Sequence, residues 1–471
     1  MLGFSNKSMA DLLYWITRNK WLIATFVVSI FLFYFPSPES LNPEGHRTLI
    51  IVVIAMILIV GEVIPLPAVA ILILILEVVF KVDTPNGVAG SFMSDAVFFI
   101  MGSLMMAVAI VNQGLDKRLA LGIIKLTGNK TWRIVFGFVA ISSILASFIG
   151  EHTVGAMMLP VALTLIRNTS NDPKTVHRLS NILLFSIAYG CSLGSIGTPS
   201  GGGRNVIMIG YISEFGLGNI SYLDWIKYAY PILLLHIPIA VVLLWMTFKP
   251  DQRILDSAVR KLKIKVTKAG GITGKQIMSI GIFIFVFLGW VFLSPYLGLG
   301  IVALIGVFLY LSFGLIEWQD INRNTNWGVI LLFGAAISLG IQMKETGAAE
   351  WVAAQLINGM SLLINDLGLM QWFISVFLTG ILTNVLSSAA TVAVLGPVVL
   401  DMGGNPVLMG ISTAIASSFA YLTIVASPTC MIIHSSGLVK SSDYFKAGWK
   451  LFIISIMILF IVSNLYWPYL S

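Results

Sequence analysis

Apolar runs long enough for a helix to cross a bilayer recur along the chain, separated by short polar loops. They predict spans at 20–36, 47–64, 67–82, 97–113, 179–214, 229–247, 276–294, 299–316, 327–343, 406–438 and 450–468, eleven in all. Two further apolar segments, 134–165 and 370–400, are each too long for one simple crossing. Small or polar residues interrupt both near the middle, so they read as re-entrant hairpins. The expected fold is an all-α polytopic membrane protein with eleven transmembrane spans and two re-entrant hairpins.

The order of features also repeats. Residues 96–211 begin with FFIMGSLMMAVAIVNQGL, and residues 328–434 contain the counterpart LLFGAAISLGIQMKETGA, with Gly102 answering Gly334 and Gly114 answering Gly347. Each unit continues with a hairpin ending in a proline segment (Pro160, Pro397) and closes with a long span broken by Gly, Pro, Ser and Thr. In the predicted topology the two copies enter from opposite sides, an inverted repeat, which suits a carrier opening one central site to either side in turn. Four regions follow: scaffold helices at 1–95, a first repeat at 96–247, a basic cytoplasmic loop with scaffold helices at 248–326, and a second repeat with the last span at 327–471.

Composition agrees with this class. Hydrophobic residues make up 57% and charged residues 10%, with a mean hydropathy of +0.93, far from a soluble domain. The net charge of +7 does not imply nucleic acid, because the basic residues sit in short loops that set orientation and meet anionic headgroups of the lipid bilayer. With a cytoplasmic N-terminus, 23 of the 28 Lys and Arg lie inside, whereas Arg47, Lys81, Lys227 and Lys344 lie outside. This bias predicts a multi-pass protein of the cell inner (plasma) membrane with its C-terminus outside. No small-residue cleavage site marks a signal peptide. Cys191 and Cys430 fall within spans and read as packing residues.

Function is expected where the helices are interrupted. An unpaired backbone N–H or C=O in hydrocarbon costs several kcal/mol, so irregular backbone survives there only against protein or a polar cavity. The four interruptions are the tip with Gly150, Glu151, His152 and Thr153, the tip with Ser387, Ser388 and Thr391, the break with Thr198, Arg204 and Asn205, and the break at Pro428. These are the candidate substrate-binding residues. Adjacent on a helix, Glu151 and His152 point about 100° apart. No H-E-x-x-H spacing makes a zinc site, and neither a cofactor nor a resident metal is expected. His434 and Asn384 are further polar candidates that neighbours can equally satisfy as core groups. An intramembrane enzyme would need a nucleophile with a base or a metal set, and a channel a continuous selectivity ring; neither pattern is present.

These motifs resemble the divalent anion:sodium symporters over roughly residues 40–468. The resemblance implies eleven spans, two hairpins, dicarboxylate or citrate transport, a homodimer and elevator-like movement. That family carries Ser-Asn-Thr ten residues before a proline in each repeat; here those positions hold Ser387, Ser388, Ala389 and Gly150, Glu151, His152. Its Gly-Thr-x-Pro-Asn break appears as Gly197, Thr198, Pro199, SGGG, Arg204 and Asn205, and the second break keeps Pro428 followed by Thr429 and Cys430. Neutral oxygen donors are thus lost where relatives hold sodium, and a guanidinium enters. An intramembrane Arg costs at least about 2.5–3.5 kcal/mol on insertion scales.

The resulting expectation is that Arg204 supplies, as a fixed cation, the attraction to a C4–C5 dicarboxylate such as malate, succinate, fumarate or 2-oxoglutarate. An empty carrier would then turn over with uncompensated charge, which predicts sodium-independent exchange. The alternatives are structural pairing of Arg204 with Glu151, and sodium- or proton-coupled symport, with an ion channel ranked below them. The predicted topology is checked by placing single cysteines in 249–275: an impermeant maleimide should label them only after the inner face is exposed, and labelling of intact cells would overturn it.

Overall fold

The computed structural model describes residues 20–34, 36–38, 40–61, 64–115, 127–170, 172–267, 271–362 and 364–470. Among them the protein is helical, with one isolated antiparallel bridge between Lys130 and Ile254 and no strand. Eight helices are long and apolar enough to cross a membrane: Pro43–Gly61, Asp95–Asn112, Thr131–Ile149, Tyr222–Phe248, Gly274–Phe292, Ser294–Ser312, Trp327–Glu345 and Ser441–Tyr469. Leu66–Val79, expected as a span, has only 14 residues.

The two long spans expected at 179–214 and 406–438 are each two helices. Pro173–Gly194 gives way to a tight turn, Pro199–Gly201, before Gly203–Glu214 begins. Pro406–Ala416 is followed by irregular backbone over 417–427 before Pro428–His434. Pro199 and Pro428 have no N–H to continue a helix, and both stand at the start of a new one.

The apolar segments between these spans are also helix pairs. Thr131–Ile149 and Glu151–Arg167 meet at Gly150, whose φ of +83° is left-handed backbone that favours glycine. Leu367–Leu382 and Ser388–Leu400 are separated by 383–387, where the Ser387 hydroxyl accepts from Ala390 N at 3.3 Å and caps the second helix.

Two of these helices each pack on a partner far away in the chain. Asp95–Asn112 lies on Ser294–Ser312, and its Asp95 carboxylate accepts from Leu299 N and Gly300 N, both at 3.0 Å, where Gly298 breaks that helix. Trp327–Glu345 lies on Leu66–Val79, where Ser338 donates to the wholly buried Glu77 at 2.7 Å and Ser91 donates to Ser338 at 2.9 Å. The two frames therefore interlock, and one carboxylate sits at each junction.

The basic loop is more ordered than its charge suggests. Helix Asp256–Thr267 packs on Glu151–Arg167, with Lys261 donating to Asn168 Oδ1 at 3.0 Å, while Thr131 N donates to Arg253 O at 2.9 Å. It thus ties both arms of the first helix pair together at their base. After Trp327–Glu345 the chain continues into helix Ala348–Met360, whereas residues 116–126, after Asp95–Asn112, lie outside the described residues.

Small residues let the first pair seat closely on Pro173–Gly194. Ser143 donates to Gly190 O and Ser147 to Gly194 O, both at 2.9 Å, and a Cβ on Gly194 would come within 2.1 Å of Ser143 O. Backbone cannot yield there as a side-chain tip would. Gly194→Ala should therefore cost about 1–3 kcal/mol of stability, the usual penalty of overpacking. Thermal unfolding in detergent tests it beside Gly359→Ala, which meets nothing within 4 Å; equal melting temperatures for the two variants would contradict this packing.

Candidate functional site

Gly150 ends one helix and Glu151 begins the next, so the Glu151 side chain starts at the turn itself. It reaches both broken spans. Arg204 Nη1 lies 3.5 Å from Glu151 Oε1, and Ser427 Oγ donates to Oε2 at 3.2 Å. Thr429 Oγ1 donates to the Glu151 carbonyl at 3.0 Å. Ser427 in turn accepts from Ser192 Oγ at 3.4 Å and from Thr429 N at 3.3 Å, capping the helix that Pro428 opens. One acidic side chain thus joins the first helix pair to both breaks.

Arg204 is 3% exposed and Glu151 6%. Arg204 Nη2 donates to Ser195 Oγ, and Nε has no partner. The pairing kept as an alternative in the sequence is the one present. The guanidinium is therefore compensated at rest, which removes the uncompensated charge expected of the empty carrier. A buried ion pair is weak evidence of stability by itself, but losing one partner strands a charge.

Asparagine amides close the breaks. Asn205 Nδ2 donates to Ser195 O and Thr198 O, each at 2.8 Å, and Trp225 Nε1 donates to Ile196 O at 2.8 Å. Thr198 Oγ1 donates to Ser147 O and accepts from Ser200 Oγ at 3.0 Å. At the second break Asn384 Nδ2 donates to Gly380 O at 2.7 Å and Phe419 O at 3.1 Å, while Leu422 N donates back to its Oδ1 at 2.8 Å. Thr383 Oγ1 donates to Ser417 O at 2.6 Å. Carbonyls freed where helices stop are thereby met by side-chain donors.

The candidates divide into three groups. Gly150, Glu151, Thr198, Arg204, Asn205 and the turn at Pro428 converge as described. His152 is exposed and, with Thr153, lines a cavity of about 450 Å³ beside Val108, Asn112 and Asn326. Ser387, Ser388 and Thr391 stay at the second tip, where Thr391 Oγ1 donates to Ser387 O at 3.1 Å and Ser388 Oγ is buried without a partner. Among the described residues no hydrogen bond or ion pair joins these three to the Arg204 cluster. His434 stacks edge-on to Tyr444 at 6.0 Å, away from the cluster.

A second cavity of about 540 Å³ lies by Asp95, Val206 and Glu214. The two cavities flank opposite ends of Asp95–Asn112, one beside each broken or hairpin element. Sequence reasoning missed Ser192, Ser195 and Ser427. Only Ser427 carried a signal, a serine directly before proline at a helix start.

Residues 17–471 match the model of the family described as sodium:sulfate symporter transmembrane region. The chain belongs to this family. It is therefore a multi-pass membrane transporter, of the divalent anion:sodium symporter group, and not an enzyme. Similar relatives include an uncharacterized transporter of Haemophilus influenzae, 25% identical over 94% of this chain and 96% of that protein. The sodium-dependent dicarboxylate transporter SdcS of Staphylococcus saprophyticus is 26% identical over 93% of this chain and 88% of its own. A sodium-dependent high-affinity dicarboxylate transporter of Caenorhabditis elegans is 26% identical over 87% and 81%. Among solved structures, the fold is like that of the YdaH transporter of Alcanivorax borkumensis (TM-score 0.55, 13% identity, 81% of this chain and 88% of that one). It is also like Neisseria gonorrhoeae MtrF (TM-score 0.56, 11% identity, 96% and 94%).

Within this sodium:sulfate symporter family member, Glu151 and Arg204 should behave as a unit. Arg204→Met alone strands a buried carboxylate and should cost about 3–5 kcal/mol, whereas Glu151→Met combined with Arg204→Met should recover most of it. Unfolding of the purified variants in detergent measures the coupling; additive losses would show that the two side chains do not interact.

Proposed function

We propose that this protein is a secondary transporter of C4–C5 dicarboxylates that works without sodium, exchanging one dianion for another. Substrate class is carried from the dicarboxylate transporters it resembles. The observation that carries sodium independence is the filling of both breaks by protein donors. A sodium site of this kind needs free carbonyl oxygens at unwound backbone. Here Asn205, Trp225, Thr383 and Asn384 each donate to such oxygens and take up part of their acceptor capacity, and Arg204 brings a cation that cannot leave.

Exchange follows from energetics rather than from a charge trapped in the empty carrier. Without a coupling ion, accumulation must draw on the gradient of another solute. Entry of a lone dianion against a membrane potential, at about 2.3 kcal/mol per charge per 100 mV, is opposed by about 4.6 kcal/mol. Exchange of dianion for dianion moves no net charge.

In this reading the chain makes eleven crossings, and the helix pairs meeting at Gly150 and near Ser387 are re-entrant hairpins. The hairpins and broken helices move as one body against the interlocked frame, in a homodimer, as the family resemblance implies. The cavity holding His152 and Thr153 then opens to the cytoplasm and the one beside Asp95 and Glu214 to the outside, which supports two-sided access along Asp95–Asn112.

A second reading, sodium-coupled symport, is favoured by the relatives described as sodium-dependent. Proteoliposomes separate the two. Uptake of labelled succinate should require an internal dicarboxylate and be unchanged when sodium is replaced by choline; uptake that needs an inward sodium gradient and no internal substrate would establish symport instead.

A further inference from the structure

The guanidinium of Arg204 has five N–H donors, yet it is engaged only with Ser195 and, at 3.5 Å, with Glu151, and its Nε is unpartnered. That is an incomplete cage around a buried cation. An arriving carboxylate can offer it a bidentate contact, which the existing geometry does not. Doing so removes the sole fixed cation beside Glu151. The titratable and charged groups that face Glu151 are Arg204 from the first break, the adjacent His152, Cys191 from Pro173–Gly194, and Tyr421 and Cys430 from the second break. Among the described residues, none of these but Arg204 is a permanent cation.

Resting on the dicarboxylate reading above, we propose that Glu151 binds a proton in competition with substrate for Arg204, so that each dicarboxylate is taken up by the site together with one proton. At rest the pair is neutral. With Arg204 turned to a dianion, an ionised Glu151 would leave the site with two uncompensated negative charges, and a protonated one leaves it with one. A buried carboxylate without a counter-ion takes a proton rather than bear that cost. The surroundings suit both forms. Ser427 now donates to Oε2, and its hydroxyl can turn to accept from a carboxylic O–H at the same 3.2 Å position. His152, the next residue, lines the cavity of about 450 Å³, which thus reaches within one residue of Glu151. The balance is simple: water or buffer in the cavity gives up H⁺, the Glu151 carboxylate becomes the acid, and release of substrate reverses the transfer. Because the outgoing and incoming dianions each carry one proton, exchange stays without net charge movement.

The sign follows from linkage. If the loaded site holds one more proton than the empty one, affinity falls as pH rises, by up to about tenfold per pH unit. The test uses purified full-length protein in detergent and succinate at about pH 7 to 9, where the substrate is already fully ionised. Succinate added to weakly buffered wild-type protein should draw close to one proton per bound succinate, read with a pH indicator, and its dissociation constant should rise with pH. Glu151→Gln should bind with no proton uptake and a flat pH profile, and should bind more tightly than wild type at the alkaline end. The wild-type proton count needs no variant, so a poorly folding Glu151→Gln does not leave the question open. Succinate binding that is intact but flat with pH and without proton uptake overturns this inference and leaves the dicarboxylate reading standing. Failure of wild-type protein to bind or exchange any C4–C5 dicarboxylate removes both.

Discussion

A backbone carbonyl released inside a membrane must find a donor, and the centre of this protein is organised around that need. Two helices stop and leave carbonyls at Ser195, Ile196 and Thr198 in one case and at Ser417 and Phe419 in the other. Asn205, Trp225, Thr383 and Asn384 supply the missing N–H and O–H groups. These donors fasten the backbone of both breaks to the surrounding protein. The helix starts at Gly203 and Pro428 then converge on Glu151, and polar chemistry becomes possible there.

The two breaks meet this constraint differently. At the first, the helix pair contributes an acid at its turn and the break contributes a basic side chain, so the junction is ionic and reaches across to Ser427 at the second break. In the second, the amide of Asn384 ties the helix pair to its own break with neutral bonds alone. Similar folding patterns thus carry unequal electrostatics. The ionic junction belongs to the first break, and neutral hydrogen bonds alone tie the second.

Packing supports that division. Serines and glycines bring Thr131–Ile149 and Pro173–Gly194 close enough for side-chain hydroxyls to reach the neighbouring backbone, which holds the turn at Gly150 beside the first break. At the base, helix Asp256–Thr267 bridges both arms of the same pair. A basic segment that reads as a solvated loop is instead part of the support for Glu151. Its buried face consists of Leu255, Ala258 and Leu262, a short apolar stripe hidden among lysines.

Much of this was legible in the residues themselves. Hydropathy located the membrane helices, because a span of hydrocarbon demands an apolar run of matching length, and Gly150, Pro199 and Pro428 marked the interruptions, because their backbone chemistry cannot continue a regular helix. Membership of a transporter group followed from the order of those marks. Tertiary structure alone decided which interruptions touch. Partnership between Glu151 and Arg204, the place of Ser427 between the breaks, and the separation of Ser387, Ser388 and Thr391 from that cluster depend on distances between segments far apart in the chain. Local pattern constrains where a helix ends; whether its end meets a charge, an amide or a cavity is set by how the helices pack.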